Sequence, residues 1–374
     1  MNRIALVSAI GLALITSTLL AQSDRPKTRP VTRRKSGKIT SSIKSIVIDN
    51  FCGDVTIETD AESPCWKVKL QVTNPSRSSA KLILDELEIK TRVSATGELS
   101  WTSKCPYQFA QMPGIQSCVT FYVPPGVPVR VKNKKGTTKA SGLKSDTDIR
   151  MIDGDVILEN LLGIKNKLNC VRSKVQAKTI SALDMFARNS QTEVTNCSGD
   201  VFIDGGNSIH DLNSIGSLTV TGASQEIRAI GIDGDARITT SDAGAKIKQV
   251  KGTLELRTTH GEIVAAQVDG PATIENESGD VKIYGNVRQL NCTSKDGNLR
   301  FVTDDHRLER IQLKTTQGNV QISLPDTLRP RFNLDSKKGK VSNRFRHAST
   351  AKNQPQVVAS TNTGDIYVIT QPRP

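Results

Sequence analysis

Residues 216–269 read GSLTVTGASQEIRAIGID, GDARITTSDAGAKIKQVK, GTLELRTTHGEIVAAQVD, three successive blocks of 18 residues that each open on glycine. Counting from each glycine, apolar residues recur at offsets 2, 4, 11, 13 and 16. In the first block these are Leu218, Val220, Ile227, Ala229 and Ile232; in the third they are Leu254, Leu256, Ile263, Ala265 and Val268. Offsets 2 and 4, then 11 and 13, are two short runs of period two, the alternation of half-buried strands and not of helices. Each block is therefore two strands. Gly199 and Gly270 open further units. Those beginning near Arg288 and Glu309 lack the glycine but keep Leu290, Cys292, Leu299 and Phe301, then Ile311, Leu313, Val320 and Ile322.

Between the two strands lies a turn written as a small or polar residue, Gly, then Asp, Glu or Asn: His260-Gly261-Glu262, Ser278-Gly279-Asp280, Asp296-Gly297-Asn298, Gln317-Gly318-Asn319. Glycine accepts positive φ at such a corner, and Asp or Asn can bond its own backbone there. Two-stranded units that cannot bury a face alone must stack at about 4.8 Å to share a core. The expected fold is all-β: a single-chain β-solenoid of about 18-residue two-stranded coils, with an irregular β-rich N-terminal cap. The triangular helix of hexapeptides is excluded, since it needs an aliphatic residue at every sixth position. The organisation read from the chain is a signal peptide over 1–21, a basic disordered tether over 22–39, the cap over 40–125, and solenoid repeats over 126–370, clearest over 142–324.

Gly-Asp-Val corners recur at Asp153-Gly154-Asp155-Val156, Ser198-Gly199-Asp200-Val201 and Ser278-Gly279-Asp280-Val281, and Val123-Pro124-Pro125-Gly126 leads into Val129-Arg130-Val131. In these features the chain resembles the bacterial putative-adhesin domain family of unknown function, over roughly residues 40–370. The resemblance implies an extracytoplasmic β-solenoid, often attached to the cell envelope, and brings no catalytic residues with it.

Arg3, an apolar stretch from Ile4 to Leu20, and Ala21 before Gln22 have the form of a Sec-type secretory signal cleaved after Ala21. A lipoprotein would need Cys where Gln22 stands, and no second membrane-spanning segment follows, so the expected location is secreted, periplasmic or cell-surface associated. The tether that comes next carries Arg25, Lys27, Arg29, Arg33, Arg34, Lys35 and Lys38, half of the chain's formal net charge of +14. Such a cationic segment can hold an anionic polysaccharide, lipid headgroups or an envelope protein by charge; the plainer reading is a solvated linker. Nucleic acid is not expected, because export removes it and the few aromatics do not interleave with basic residues.

Cys52, Cys65, Cys105 and Cys118 all fall in the cap, and in an exported protein they are candidates for two disulfides. Equal separations favour Cys52 with Cys65 and Cys105 with Cys118, although sequence leaves all three pairings open. Cys170, Cys197 and Cys292 occupy inward strand positions and read as buried thiols. The acids Asp155, Asp200, Asp235, Glu262, Asp280 and Asp365 are spread along the repeats and follow the corner pattern instead of clustering as in a glycoside hydrolase or lyase. His210, His260, His306 and His347 are too scattered for a triad or zinc site, His210 falling at an inward offset. Thr240, Thr258, Asn276, Ser294 and Thr315 share offset 6 and should hydrogen-bond along the solenoid axis. No metal or cofactor is expected. The expected role is non-catalytic and adhesin-like, through surface, matrix or protein contacts. A carbohydrate-active β-helix enzyme and an envelope-stress sensor are the alternatives.

Overall fold

The computed structural model describes residues 29–109, 112–351 and 354–371. The expected signal peptide and the first part of the tether, with Arg25 and Lys27, lie outside the described residues. Through the repeats, each strand pairs in parallel with the equivalent segment of the neighbouring coil, with the coils over Gln191–Ile232 running on as one continuous strand, so each coil gives one strand to each of two stacks. In the first stack Leu218 faces Ala236, Ala236 faces Leu254, and Leu254 faces Ala272. In the second, Ile227, Ala245, Ile263 and Val281 follow one another. One sequence period is thus one coil. The core is the slot between the stacks, filled by the periodic residues: Leu254, Leu256, Ile263, Ala265 and Val268 are all 0% exposed. Full burial of each large aliphatic contributes about 1.5–3 kcal/mol.

The break in alternation between offsets 13 and 16 has a backbone cause. Asn196, Ser214, Gln249 and Gln267 adopt φ of 57°, 56°, 57° and 56°, and Gly231, which falls at the same offset, has φ 75°. The left-handed residue at this offset skips a position, so that Ile215, Ile232, Val250 and Val268 turn back inward.

At the glycine corner the coils touch backbone to backbone. A Cβ on Gly279 would stand 2.3 Å from the Gly261 carbonyl oxygen, and one on Gly297 would stand 2.1 Å from that of Gly279. The residue after each glycine ties the coils together. Asp280 Oδ1 accepts the Asn298 N–H at 3.0 Å, Asn298 Oδ1 accepts the Asn319 N–H at 3.0 Å, and Asn319 Oδ1 accepts the Asp365 N–H at 2.8 Å. The side chain therefore bonds the backbone of the next coil and not its own, as the sequence pattern had suggested. Three of the five offset-6 residues bond along the same direction: Thr258 Oγ1 donates to the Ala243 carbonyl at 3.4 Å, Asn276 Nδ2 to Gly261 at 3.3 Å and Thr315 Oγ1 to Gly297 at 3.2 Å, whereas Thr240 Oγ1 donates within its own coil to the Ser241 carbonyl and Ser294 Oγ is buried without a hydrogen-bond partner among the described residues.

Both ends depart from chain order. At the C-terminal end, strands Gln356–Thr363 and Ile366–Gln371 lie between Arg310–Gln317 and Val320–Pro325 on one side and Arg331–Ser336 and Val341–Asn343 on the other. The glycine column records the same order, with Gly364 packed on Gly318 and Gly339 on Gly364. The last coil in sequence is the last but one in space.

The N-terminal end consists of β1 (Val31–Lys38), β2 (Ser45–Asn50), β3 (Val55–Thr59), β4 (Cys65–Val72), α1 (Arg77–Glu86), β5 (Glu88–Val93), β6 (Glu98–Lys104), β7 (Ile115–Val123), β8 (Val129–Asn133) and β9 (Gly136–Ser141). β2 and β3 form a coil that pairs inward with β8 and β9 and outward with β6 and β7, so strand pairing runs unbroken from the cap into the repeats. Antiparallel strands close the end: β5 on β6, and β4 then β1 beside β7. Trp66, Trp101 and Phe121 meet edge to face beneath, with ring centroids 6.3 and 5.7 Å apart.

β1 corrects the tether reading. Val31–Lys38 is an edge strand registered against β4 from Val72 to Cys65. Gly37 lies directly over the Trp66 indole, and the Arg33 guanidinium donates to the Leu87 carbonyl just past the end of α1. Its basic composition hid a strand that pairing and one tryptophan hold in place.

Candidate anion-binding face

The outer face of the β1, β4, β7, β3 sheet carries the side chains that alternation directs away from the core. Trp66, Val68 and Leu70 point inward, which leaves Cys65, Lys67, Lys69 and Gln71 outward; on β7 the outward residues include Cys118, Thr120 and Tyr122. Register brings them into rows. Arg34 lies opposite Lys69, which lies opposite Cys118, while Ser36, Lys67 and Thr120 form the row beside it. Adjacent strands lie about 4.8 Å apart and Lys67 and Lys69 about 6.8 Å apart along β4. The result is an open groove of roughly 650 Å³ lined by Arg34, Ser36, Lys67, Lys69, Thr120 and Asp54 among others.

The groove gathers cations on adjacent rows. Along the shaft, some cations are matched by acids one coil away: Arg130 with Asp148 at 3.2 Å, Lys139 with Glu159 at 3.2 Å, Arg237 with Glu255 at 2.8 Å and Arg257 with Glu275 at 3.4 Å. Such exposed pairs add little stability. Among the described residues, Arg34, Lys67 and Lys69 form no salt bridge; Lys67 instead sits 5.0 Å from the Tyr122 ring centroid. The acid at the groove margin, Asp54, is engaged by the Thr137 N–H at 2.9 Å. Three cations therefore sit side by side on one open face.

Of the basic residues read from sequence, the structure places Arg34 in the groove and Lys38 on the same face opposite Cys65, while Lys35 lies opposite the inward Val68 and alternates to the other face of β1. Arg33 is turned to the helix end, and Arg29 precedes β1. Lys67 and Lys69 were missed. Their signal was present in the alternation Trp66-Lys67-Val68-Lys69-Leu70, which puts two lysines on one face of one strand.

The acids weighed for catalysis are held in corners. Asp235 Oδ1 accepts the Thr253 N–H at 2.7 Å, Asp365 Oδ1 accepts the Lys340 N–H at 2.8 Å, and Glu262 pairs with Lys282. Backbone N–H and the Tyr367 hydroxyl hold the Asp365 carboxyl below its usual range. His210 is wholly buried beside Gln225 and neither ring nitrogen has a hydrogen-bond partner; burial lowers its pKa to about 4. Among the described residues, no three His, Cys, Asp or Glu side chains are grouped as metal ligands, and no helix is long and apolar enough to cross a membrane.

The cysteine pairing favoured by sequence meets a geometric obstacle. Cys65 opposes Tyr122, whereas Cys52 lies at the corner before Asp54, beside Cys118. Tyr122 and Cys118 are four residues apart on one strand, about 13 Å, and a disulfide needs Cα atoms within about 7 Å. Cys52 and Cys65 therefore cannot bridge in this fold.

Similarity to known proteins follows the stack. The model of the family described as Toastrack DUF4097 matches residues 43–285 and 269–370. Among solved structures, a putative cell adhesion protein from Clostridium sporogenes aligns at 10% identity over 92% of this chain and 100% of that one, with a TM-score of 0.25. A putative adhesin from Parabacteroides merdae aligns at 10% identity over 89% and 95%, TM-score 0.22. A putative lipid binding protein from Parabacteroides distasonis aligns at 11% identity over 91% and 96%, TM-score 0.22. No curated protein gives a match. With two overlapping matches that run from the coil of β2 and β3 to the intercalated last coil, the chain belongs to the Toastrack DUF4097 family.

Proposed function

We propose that this chain is a non-catalytic, adhesin-like solenoid, exported to the envelope or beyond, that holds an anionic polysaccharide against the basic face of its N-terminal end. The observation that carries this reading is the groove in which Arg34, Lys67 and Lys69 stand side by side on adjacent strands of one open face, none of them in a salt bridge among the described residues. The groove is open and strand-borne, which suits a polymer laid across it more than an enclosed small molecule. The apolar N-terminal segment supports export, and the corner duties of Asp235, Glu262, Asp280 and Asp365 support a binding role over hydrolysis.

The test is binding of the purified protein to an array of anionic polysaccharides across salt concentration, beside a Lys67→Glu/Lys69→Glu variant. Binding that weakens with salt and falls at least tenfold in the variant supports the reading. Equal binding by both proteins, or release of sugar fragments by the wild type, overturns it. Selective binding to anionic vesicles would move the partner from a polysaccharide to a lipid surface.

A further inference from the structure

Cys52, Cys105 and Cys118 meet at one corner although 66 residues separate the first from the last. β2 and β6 pair in parallel with Asp49 opposite Thr102. Ser103 Oγ continues that register by donating to Asn50 Oδ1 at 2.6 Å and accepting the Phe51 N–H at 3.2 Å. Two residues further on, the same register sets Cys52 beside Cys105. Neighbouring strands lie about 4.8 Å apart, inside the Cα span of about 4.4–6.8 Å that a disulfide accepts. On the other side, the Cys52 carbonyl accepts the Ser117 N–H at 2.7 Å, which brings Cys118 alongside. All three side chains are partly exposed, and Cys52 senses the charge of Cys118 as Cys105 senses that of Cys52. Cys65, on the outer face opposite Tyr122, stands apart.

We infer that Cys52 is the hub of a three-thiol exchange site: it forms a disulfide with Cys105, and Cys118 is placed to exchange into that bond. In the first step Cys52 and Cys105 lose two protons and two electrons to an external disulfide of the glutathione class, which departs as two thiols. In the second, the Cys118 thiolate attacks the Cys52 sulfur, the S–S bond to Cys105 breaks, and the Cys105 thiolate leaves and takes up a proton. No net electrons move in that exchange. The first bond ties the outermost parallel coil to the next through β6. The second ties it through β7, on the strand that borders the basic groove, where Cys118 lies opposite Lys69. Burial pushes the Cys52 and Cys105 thiols up, so oxidation should be slow near neutrality and speed up as pH rises.

The test is peptide mapping of the purified full chain after equilibration with reduced and oxidised glutathione and trapping of free thiols. Peptides joined through Cys52 to Cys105 and to Cys118 are expected, with Cys65 trapped as a free thiol. Cys118→Ser should leave only the Cys52 to Cys105 bond, and Cys105→Ser only the Cys52 to Cys118 bond. A bond to Cys65, a bond between Cys105 and Cys118 that persists in Cys52→Ser, or a fully oxidising buffer that yields no bond in the wild type, each overturns the assignment. The wild-type map decides the question even where a serine variant folds poorly.

Discussion

Gly364 belongs to the last strand pair in the chain, yet it packs on Gly318 on one side and against Gly339 on the other. Replacing it with alanine has two separable costs. Its φ of +147° is a conformation that L side chains rarely adopt, worth about 1–3 kcal/mol of strain. The new Cβ would also stand 2.1 Å from the Gly318 oxygen and 2.6 Å from its carbonyl carbon. Backbone cannot swing aside as a side chain can, so the two coils must part, adding about 1–3 kcal/mol of overpacking. Gly126→Ala isolates the first cost: φ there is +85°, but nothing lies within 4 Å of the added methyl, and about 1–2 kcal/mol is expected. Urea titration of both variants compares their midpoints at constant slope. Because terminal coils of a stack can open separately, amide exchange over residues 356–371 should be read beside it. Gly364→Ala is expected to cost more than Gly126→Ala and to speed exchange in both the 310–325 and 331–343 strands. Equal costs, or faster exchange confined to the outer strand pair, would refute the intercalated order.

Leu256→Ala, at a position 0% exposed in the middle of the stack, should cost about 2–5 kcal/mol in urea titration. His210 makes stability depend on pH with a definite sign. Its folded pKa of about 4 lies below its ordinary 6.5, so the unfolded chain binds the extra proton first, and stability falls as pH drops from 6.5 toward 4. The full effect is on the order of 3 kcal/mol, and a His210→Leu variant should lose that slope between these limits. Burial pushes the Cys170 and Cys197 thiols to about 11 and the Cys292 thiol to about 12. Iodoacetamide at pH 8 should therefore leave all three unmodified until urea is added; mass spectrometry of the native reaction checks this.

The core was legible because a coil repeats its burial: Leu218, Ala236, Leu254 and Ala272 are each predicted inward by offset 2 and each lies in the slot. Glycine corners were legible as turns, but the partner of the following Asp or Asn was not, since Asp280 and Asn298 are adjacent only once the coils stack. Chain order hid the two ends. A repeat read along the sequence cannot show that residues 356–371 pass inside residues 331–343, although the Gly364-Asp365 corner already matched the inner coils better than Gly339-Lys340 did. The basic face was half legible. The charge of Arg34 shows in sequence but the surrounding composition points to a tether, and Lys67 and Lys69 emerge only when the alternation Trp66-Lys67-Val68-Lys69-Leu70 is followed on its outward side. Cysteine spacing misled for a physical reason: equal separations suggested hairpins, whereas β4 turns back antiparallel outside β7 and carries Cys65 away from the corner.

The most direct measurement is a lysine-acylation footprint of the full chain with and without the tightest-binding anionic polysaccharide of the array, read residue by residue by mass spectrometry. Protection of Lys67 and Lys69, with Lys248 and Lys314 on the shaft unchanged, is the result expected from the cation cluster of the N-terminal groove. Protection spread evenly along the shaft, or none in the groove while polymer is bound, would contradict that placement.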